Sequence, residues 1–272
     1  MFAGKVWWIT GASSGIGEAL AEALSAEGAK LILSGRNVGA LKEAAGKCKT
    51  ATHILPFEAT DFANIPSYVE KAWGFEGRVY GVVNNAGVSQ RSLAVDTVFD
   101  VYRKIVDIDL MAPIALTQAL LPKMVAAGGG HIVAISSVAG IAGVPLRSAY
   151  CAAKHGLIGY HDAVRAETAH QGMKVLVVAP GSVRTNVSKN ALDASAQTRG
   201  VSDAAIDNGM DPAVAATRML DALKAGEREL ILAEGMEAAI AKMRRTDPNA
   251  LFDQMERMVA AGYAQRMGAE KK

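Results

Sequence analysis

Cys48 and Cys151 are the only two cysteines in 272 residues. That is too few for a disulfide framework; it suggests a reducing compartment, and the cytoplasm is the expected location. Charge of one sign is equally scarce. The 29 basic and 27 acidic side chains leave a formal +2, which gives no strong field for nucleic acid or an anionic membrane, so neither is an expected partner. No stretch of about 18 uninterrupted apolar residues marks a bilayer span. Met1 to Lys5 runs straight into Val6-Trp7-Trp8-Ile9-Thr10 without the three-part pattern of a signal peptide. The five histidines, His53, His131, His155, His161 and His170, show no metal-ligand spacing. A small-molecule partner is the class left open.

Half of the residues are hydrophobic, enough for one sizeable core, and nothing in the composition forces a second domain. Seven short apolar or β-branched runs read as strands: Val6 to Thr10, Lys30 to Ser34, Thr52 to Pro56, Val79 to Asn84, His131 to Ser136, Lys174 to Ala179 and Glu229 to Leu232. Runs such as Leu31-Ile32-Leu33 lack strict alternation, as strands covered on both faces do. Between them lie stretches of helix formers, among them Ala19 to Glu27, Ala40 to Cys48 and Ile65 to Trp73. The pattern predicts one α/β domain over residues 1–272, a doubly wound Rossmann fold with a seven-stranded parallel sheet. Its core spans about 4–232, followed by a helical extension over about 234–272. From Ser188 to Asp211 the chain is small, polar and aperiodic. Coming directly after a strand's C-terminal end, it is expected to be a mobile lid.

After the first strand, Thr10-Gly11-Ala12-Ser13-Ser14-Gly15-Ile16-Gly17 leads into a helix. Glycines let the chain reverse and approach a pyrophosphate closely, and the helix N-terminus receives the negative charge. The second strand ends Ser34-Gly35-Arg36. Gly35 stands where an acid would bind the ribose hydroxyls of NAD, and Arg36 can pair with a 2′-phosphate. NADP(H) is therefore the expected cofactor in preference to NAD(H). Further on, Tyr150 and Lys154 lie one helical turn apart on one face, so the ammonium is expected to favour the phenolate and make Tyr150 an acid/base near neutral pH. Ser137, at a strand end, can offer its hydroxyl to the same substrate oxygen.

In order and spacing, five motifs together resemble the short-chain dehydrogenase/reductase family over about residues 4 to 232. These are the glycine turn, Asn84-Asn85-Ala86-Gly87, Ser137 thirteen positions before Tyr150, Lys154, and Pro180-Gly181-Ser182-Val183-Arg184-Thr185. The resemblance implies that Tyr150 is the acid/base, that Lys154 lowers its pKa and holds the nicotinamide ribose, and that Ser137 orients the substrate oxygen. It implies that Gly11, Ser13, Ser14, Gly15, Ile16 and Gly17 cradle the phosphates. Asn85, Ala86 and Gly87 would line the adenosine side, with Glu58 and Ala59 beside the adenine, and Val183 and Thr185 would meet the carboxamide. Asp109 stands where the family carries a catalytic asparagine, and is expected to neutralise part of the Lys154 effect and slow turnover.

Ser89-Gln90-Arg91-Ser92-Leu93 and Val101-Tyr102-Arg103-Lys104-Ile105 are similar to a subgroup acting on steroid-, retinoid- or other lipophilic carbonyls. The implied function is reversible hydride transfer between nicotinamide and a hydrophobic ketone, aldehyde or alcohol by a homodimer or homotetramer. Two alternatives stand beside it: an epimerase or dehydratase using the same residues, and a nucleotide-binding sensor with little turnover. In the extension, Leu251, Phe252, Met255, Met258, Val259, Gly262, Tyr263 and Met267 form an apolar stripe on a helix starting near Asp247-Pro248. The stripe is expected to pack on its own domain, on a second subunit or as a pocket wall.

Overall fold

The computed structural model describes residues 1–267, which leaves the last five residues of the extension, 268–272, outside the description. Seven parallel strands form one sheet: β1 (Val6–Thr10), β2 (Lys30–Ser34), β3 (Thr52–Ile54), β4 (Gly81–Asn84), β5 (Gly130–Ile135), β6 (Met173–Pro180) and β7 (Glu229–Leu232). They lie in the order β3-β2-β1-β4-β5-β6-β7, the doubly wound arrangement expected. The strand order reverses between β1 and β4, which opens a crevice beyond their C-terminal ends.

Both faces of the sheet are covered, which is why its strands read as continuous apolar runs. Along β1, Trp7 and Trp8 point to opposite sides and both are fully buried. On the Trp7 side, α1 (Gly15–Ala26), α2 (Val38–Lys47) and α8 (Pro212–Ala225) contribute Leu20, Leu24, Leu41, Met219 and Leu220 to the core. On the Trp8 side, α3 (Ile65–Gly74), α5 (Ala112–Ala126) and α6 (Ser148–Thr168) contribute Val69, Leu116, Leu120, Met124 and Val164. Trp7 fits because β4 opens with Gly81, where an added Cβ would lie 2.5 Å from the indole. The Trp8 indole N–H donates to Ser34 Oγ at 2.8 Å, which donates to the Leu55 carbonyl at 2.6 Å. This relay ties three adjacent chain segments together inside the core.

α4 (Phe99–Val106), a π turn over Asp107–Met111 and α5 run on as one 28-residue helix, Phe99–Ala126. By length and composition alone this helix passes as a membrane span, contrary to the sequence expectation that no segment would. The helix packs on α6 and carries the fully buried Asp109, so it is an integral layer of the domain.

The segment after β6 lies over the cleft as expected of a lid, with a short helix α7 (Ala204–Asp207) near its end. It is pinned rather than loose. Asp203, 2% exposed, receives Arg91 Nε at 2.5 Å and Arg199 Nη1, and its own amide donates to Ser188 Oγ at 2.9 Å.

The extension forms α9 (Gly235–Thr246), α10 (Pro248–Ala260) and α11 (Tyr263–Arg266). α10 starts where the sequence places it, with the Asp247 carboxylate accepting from Ala250 N at 3.1 Å. The single long stripe is corrected: the helix ends before Gly262, whose φ of 81° is left-handed, and α11 begins afresh. Leu251 is buried, Phe252 is 47% exposed, and Met255, Met258, Val259, Tyr263 and Met267 are half-buried against their own chain.

His131, wedged beside Trp7 and Tyr80, and His161, fully buried in α6, are both pushed down to about 4 by burial. They stay neutral in the folded chain while the unfolded chain protonates them near 6.5, so their stabilisation is complete above that pH. It is lost as the pH falls toward 4, by about 2 kcal/mol per histidine at pH 5. A melting temperature that drops several degrees from pH 7 to pH 5 is expected, and His131→Phe, which keeps an aromatic ring between Trp7 and Tyr80, should flatten part of that slope. An unchanged slope in the variant refutes the assignment.

Candidate active site

A cleft of about 470 Å³ opens at the C-terminal edge of the sheet, over the switch between β1 and β4. Apart from Gly17, every residue the sequence marked for cofactor or catalysis lines it. The structure thus brings together the glycine turn, Arg36, Glu58, Ala59, Asn85, Ala86, Gly87, Asp109, Ser137, Tyr150, Lys154, Val183 and Thr185.

The glycine turn is packed to the limit that a missing Cβ allows. Gly11 and Gly15 have φ of 62° and 60°, and an added Cβ would lie 2.8 Å from Ala86 Cα and 2.8 Å from Thr185 Cγ2 respectively. Gly17 is a correction to the expected phosphate contact, since it supports the turn from beneath: its Cβ would meet the Gly11 carbonyl at 2.4 Å. Asn85 is likewise a brace, for its amide nitrogen donates to the carbonyls of Thr10 at 3.0 Å and Gly11 at 3.1 Å. No side chain caps the start of α1, and Ser14, Gly15 and Ile16 there line the cleft, the environment a pyrophosphate needs. At the outer edge, Arg36 is 78% exposed and lies 3.6 Å from Glu58. The two residues expected to touch the adenosine end therefore pair with each other.

Lys154 is the centre of the other end. It is 4% exposed, and its ammonium donates to the Ile135 carbonyl at 3.0 Å. Asp109 Oδ2 lies 3.1 Å away and makes an ion pair without an aligned hydrogen bond, while Oδ1 accepts from Val88 N at 2.8 Å. Asp109 reaches this point from the π turn, which rotates its side chain off the regular helix face. Gly87 makes room for it, since a Cβ there would sit 2.9 Å from Asp109 Oδ2. Burial pushes the Asp109 carboxyl up against the pull of Lys154. Burial also opposes the charge on Lys154, but Asp109 and Tyr150 hold it protonated.

The Lys154 ammonium sits 5.5 Å from the centre of the Tyr150 ring. Proximity was expected to lower the tyrosine. Instead burial raises the phenol above its ordinary value, the nearby ammonium offsets only part of that, and the Asp109 charge adds to the rise. The physical reason is that a buried phenolate loses its hydration, which outweighs the attraction of a single ammonium that is itself paired with a carboxylate. Ser137 Oγ donates to the Pro180 carbonyl at 3.3 Å and accepts from Ala139 N at 3.1 Å, so its hydroxyl stands at the mouth beside Tyr150. Cys151 faces away from the cleft, near Val144 N at 3.3 Å. Among the described residues no group of three or more His, Cys, Asp or Glu side chains is placed to hold a metal.

The far wall combines the expected lid with residues that the sequence reading did not single out. Val88, Ile108, Val187, Leu192 and Ile206 line it, with Lys104, Asn186, Asn190 and Thr198 between them. Lys104 and Ile108 are one helical turn from each other, but five and one residues from Asp109, so neither follows from the position of Asp109.

The short chain dehydrogenase family model matches residues 5–196. The chain belongs to the short-chain dehydrogenase/reductase family. It is 38% identical over 251 residues to the mouse Dehydrogenase/reductase SDR family member 7B, a match covering 90% of this chain and 78% of the mouse protein. To the SDR family protein 7-like of Anopheles gambiae it is 37% identical, covering 92% and 81% of the two chains. The solved short-chain dehydrogenase from Streptomyces avermitilis superposes with a TM-score of 0.79 at 30% identity, over 94% of this chain and 99% of that one. Levodione reductase gives a TM-score of 0.79 at 26% identity, over 88% and 99%. As a family member the protein is an oxidoreductase of nicotinamide cofactor chemistry acting on small molecules.

The Asp109–Lys154 pair makes a direct prediction. Asp109→Asn removes a carboxylate that helps raise Tyr150, so phenolate should form at lower pH in an ultraviolet difference titration, with Tyr150→Phe subtracted as background. A titration unaltered by the substitution contradicts the coupling.

Proposed function

We propose that the protein is a reversible NADP(H)-dependent carbonyl reductase or alcohol dehydrogenase, with Tyr150 as the acid/base. The observation that carries this reading is the convergence of Ser137, Tyr150 and the Asp109-paired Lys154 on the cleft whose other end holds the glycine turn. A phenol placed there can give its proton to a carbonyl oxygen and, as phenolate, take one from an alcohol.

The bound nicotinamide supplies the hydride, and the remaining tasks fall to this chain. Gly11 to Ile16 receive the pyrophosphate, Val183 and Thr185 hold the carboxamide end, and Lys154 holds the ribose. Ser137 turns its hydroxyl from the Pro180 carbonyl to the substrate oxygen and polarises it, and Tyr150 donates the proton. The apolar wall of Val88, Val187, Leu192 and Ile206 supports a hydrophobic substrate. Arg36, free of any acid at position 35 and held only by an exposed pair with Glu58, supports the 2′-phosphate. Location in the cytoplasm and a dimeric or tetrameric assembly complete the proposal. The second reading, a nucleotide-binding sensor, draws on the same ion pair, because a neutralised Lys154 also means slow proton exchange.

NADPH consumption with hydrophobic ketones, aldehydes and quinones is the test. Turnover that stays flat from pH 6 to 9 while alcohol oxidation climbs with pH is expected; tight NADPH binding with no turnover on the whole panel would establish the sensor instead. Arg36→Asp should lower the NADPH-to-NADH ratio of kcat/KM by roughly tenfold or more, the value of one charge-assisted phosphate contact. An unchanged ratio removes Arg36 from the cofactor site.

A further inference from the structure

The stretch Ser89-Gln90-Arg91-Ser92 takes no part in the proton or cofactor chemistry, yet all four residues are buried. Gln90 has no exposed surface. Its amide nitrogen is anchored by donating to Ser92 Oγ at 3.0 Å and Thr97 Oγ1 at 3.2 Å. Its oxygen accepts from Ala149 N at 2.8 Å. Ala149 immediately precedes Tyr150, and both lie in the first turn of α6, where N–H groups have no partner within the helix. No side chain of α6 itself supplies the cap.

We propose that Gln90 is the positioning residue for Tyr150, capping α6 across the structure and so setting where the phenol meets the substrate oxygen.

A second, independent observation lies one turn earlier. Leu146 has a φ of 67°, a left-handed conformation that a bulky residue adopts only where its surroundings impose it. The same stretch imposes it: Ser92 N donates to the Leu146 carbonyl at 3.1 Å. Two residues of one loop therefore grip both ends of the entry into α6. On its other side the loop pairs with the lid, through Arg91 N to the Leu192 carbonyl at 2.9 Å and Leu192 N to the Ser89 carbonyl at 2.8 Å. Leu192 lines the cleft. One short strip of backbone thus fixes the distance between the proton donor and the wall that a substrate leans on.

The inference rests on the reductase reading, so it needs a measurement that does not depend on turnover. Gln90→Met keeps the volume and removes the cap. Amide hydrogen exchange of the peptide containing residues 148–151 should then quicken, while peptides of β5 stay unchanged. With substrate, kcat should fall roughly ten- to a hundredfold, in line with the sensitivity of catalysis to displacements near 1 Å, and the NADPH Kd should stay within about twofold. Gln90→Glu, which keeps an oxygen opposite Ala149, should recover most of the rate.

Thr97→Val, away from the cleft, loosens the anchor of the Gln90 amide and should give the same pattern more weakly; it serves if the Gln90 variants do not fold. Exchange at 148–151 equal to wild type overturns the cap. A loss of NADPH affinity matching the loss of kcat overturns the positioning role in favour of general damage. A wild-type protein that reduces no carbonyl sinks the reductase reading instead, and the exchange result alone then decides for or against the cap.

Discussion

Lys154 is a cation with almost no access to water, and the chemistry at the nicotinamide end depends on how that charge is balanced. A buried ammonium without partners costs several kcal/mol, so three elements converge on it. β5 lends the Ile135 carbonyl, the π turn swings Asp109 into place, and the loop after β4 steadies Asp109 through Val88 N while Gly87 clears its path. Removing any one leaves a buried charge or an orphaned donor rather than a small gap.

Balancing that charge has a consequence for the phenol beside it. Burial of the ring raises the Tyr150 phenol, the Lys154 ammonium offsets part of that, and the Asp109 carboxylate adds to the rise. The machinery that places the phenol is separate and neutral: Gln90 and Ser92 act on the backbone at the entrance of α6. Electrostatics and position at Tyr150 are thus handled by different residues.

The lid belongs to the same economy of buried charge. Asp203 gathers Arg91 and Arg199, and Arg199 also donates to the Met267 carbonyl at 3.0 Å, so the loop after β4, the lid and the extension share one ionic knot. At the other end of the extension, Glu237 accepts from Ser182 N at 2.7 Å and Ser182 Oγ at 2.8 Å, beside the Pro180-Gly181 turn. Within the extension α10 packs on α9 and α11, and the polar contacts at the extension's two ends reach the rim of the cleft.

Local chemistry made much of this legible in advance. The seven strands, the glycine turn and the start of α10 at Asp247-Pro248 follow from periodicity, steric freedom and capping, which act within a few residues of themselves. Tyr150 and Lys154 share a face because one helical turn separates them. By itself the sequence determined the fold and the residues lining the cofactor side of the cleft. Only the tertiary structure decided that Tyr150 is raised rather than lowered, that Gly17 and Asn85 are braces, that Val88, Lys104 and Ile108 join the lid in the far wall, and that Gln90 caps α6. Each of those depends on burial or on a partner tens of residues away, and neither a dielectric environment nor a long-range contact leaves a mark in local residue order.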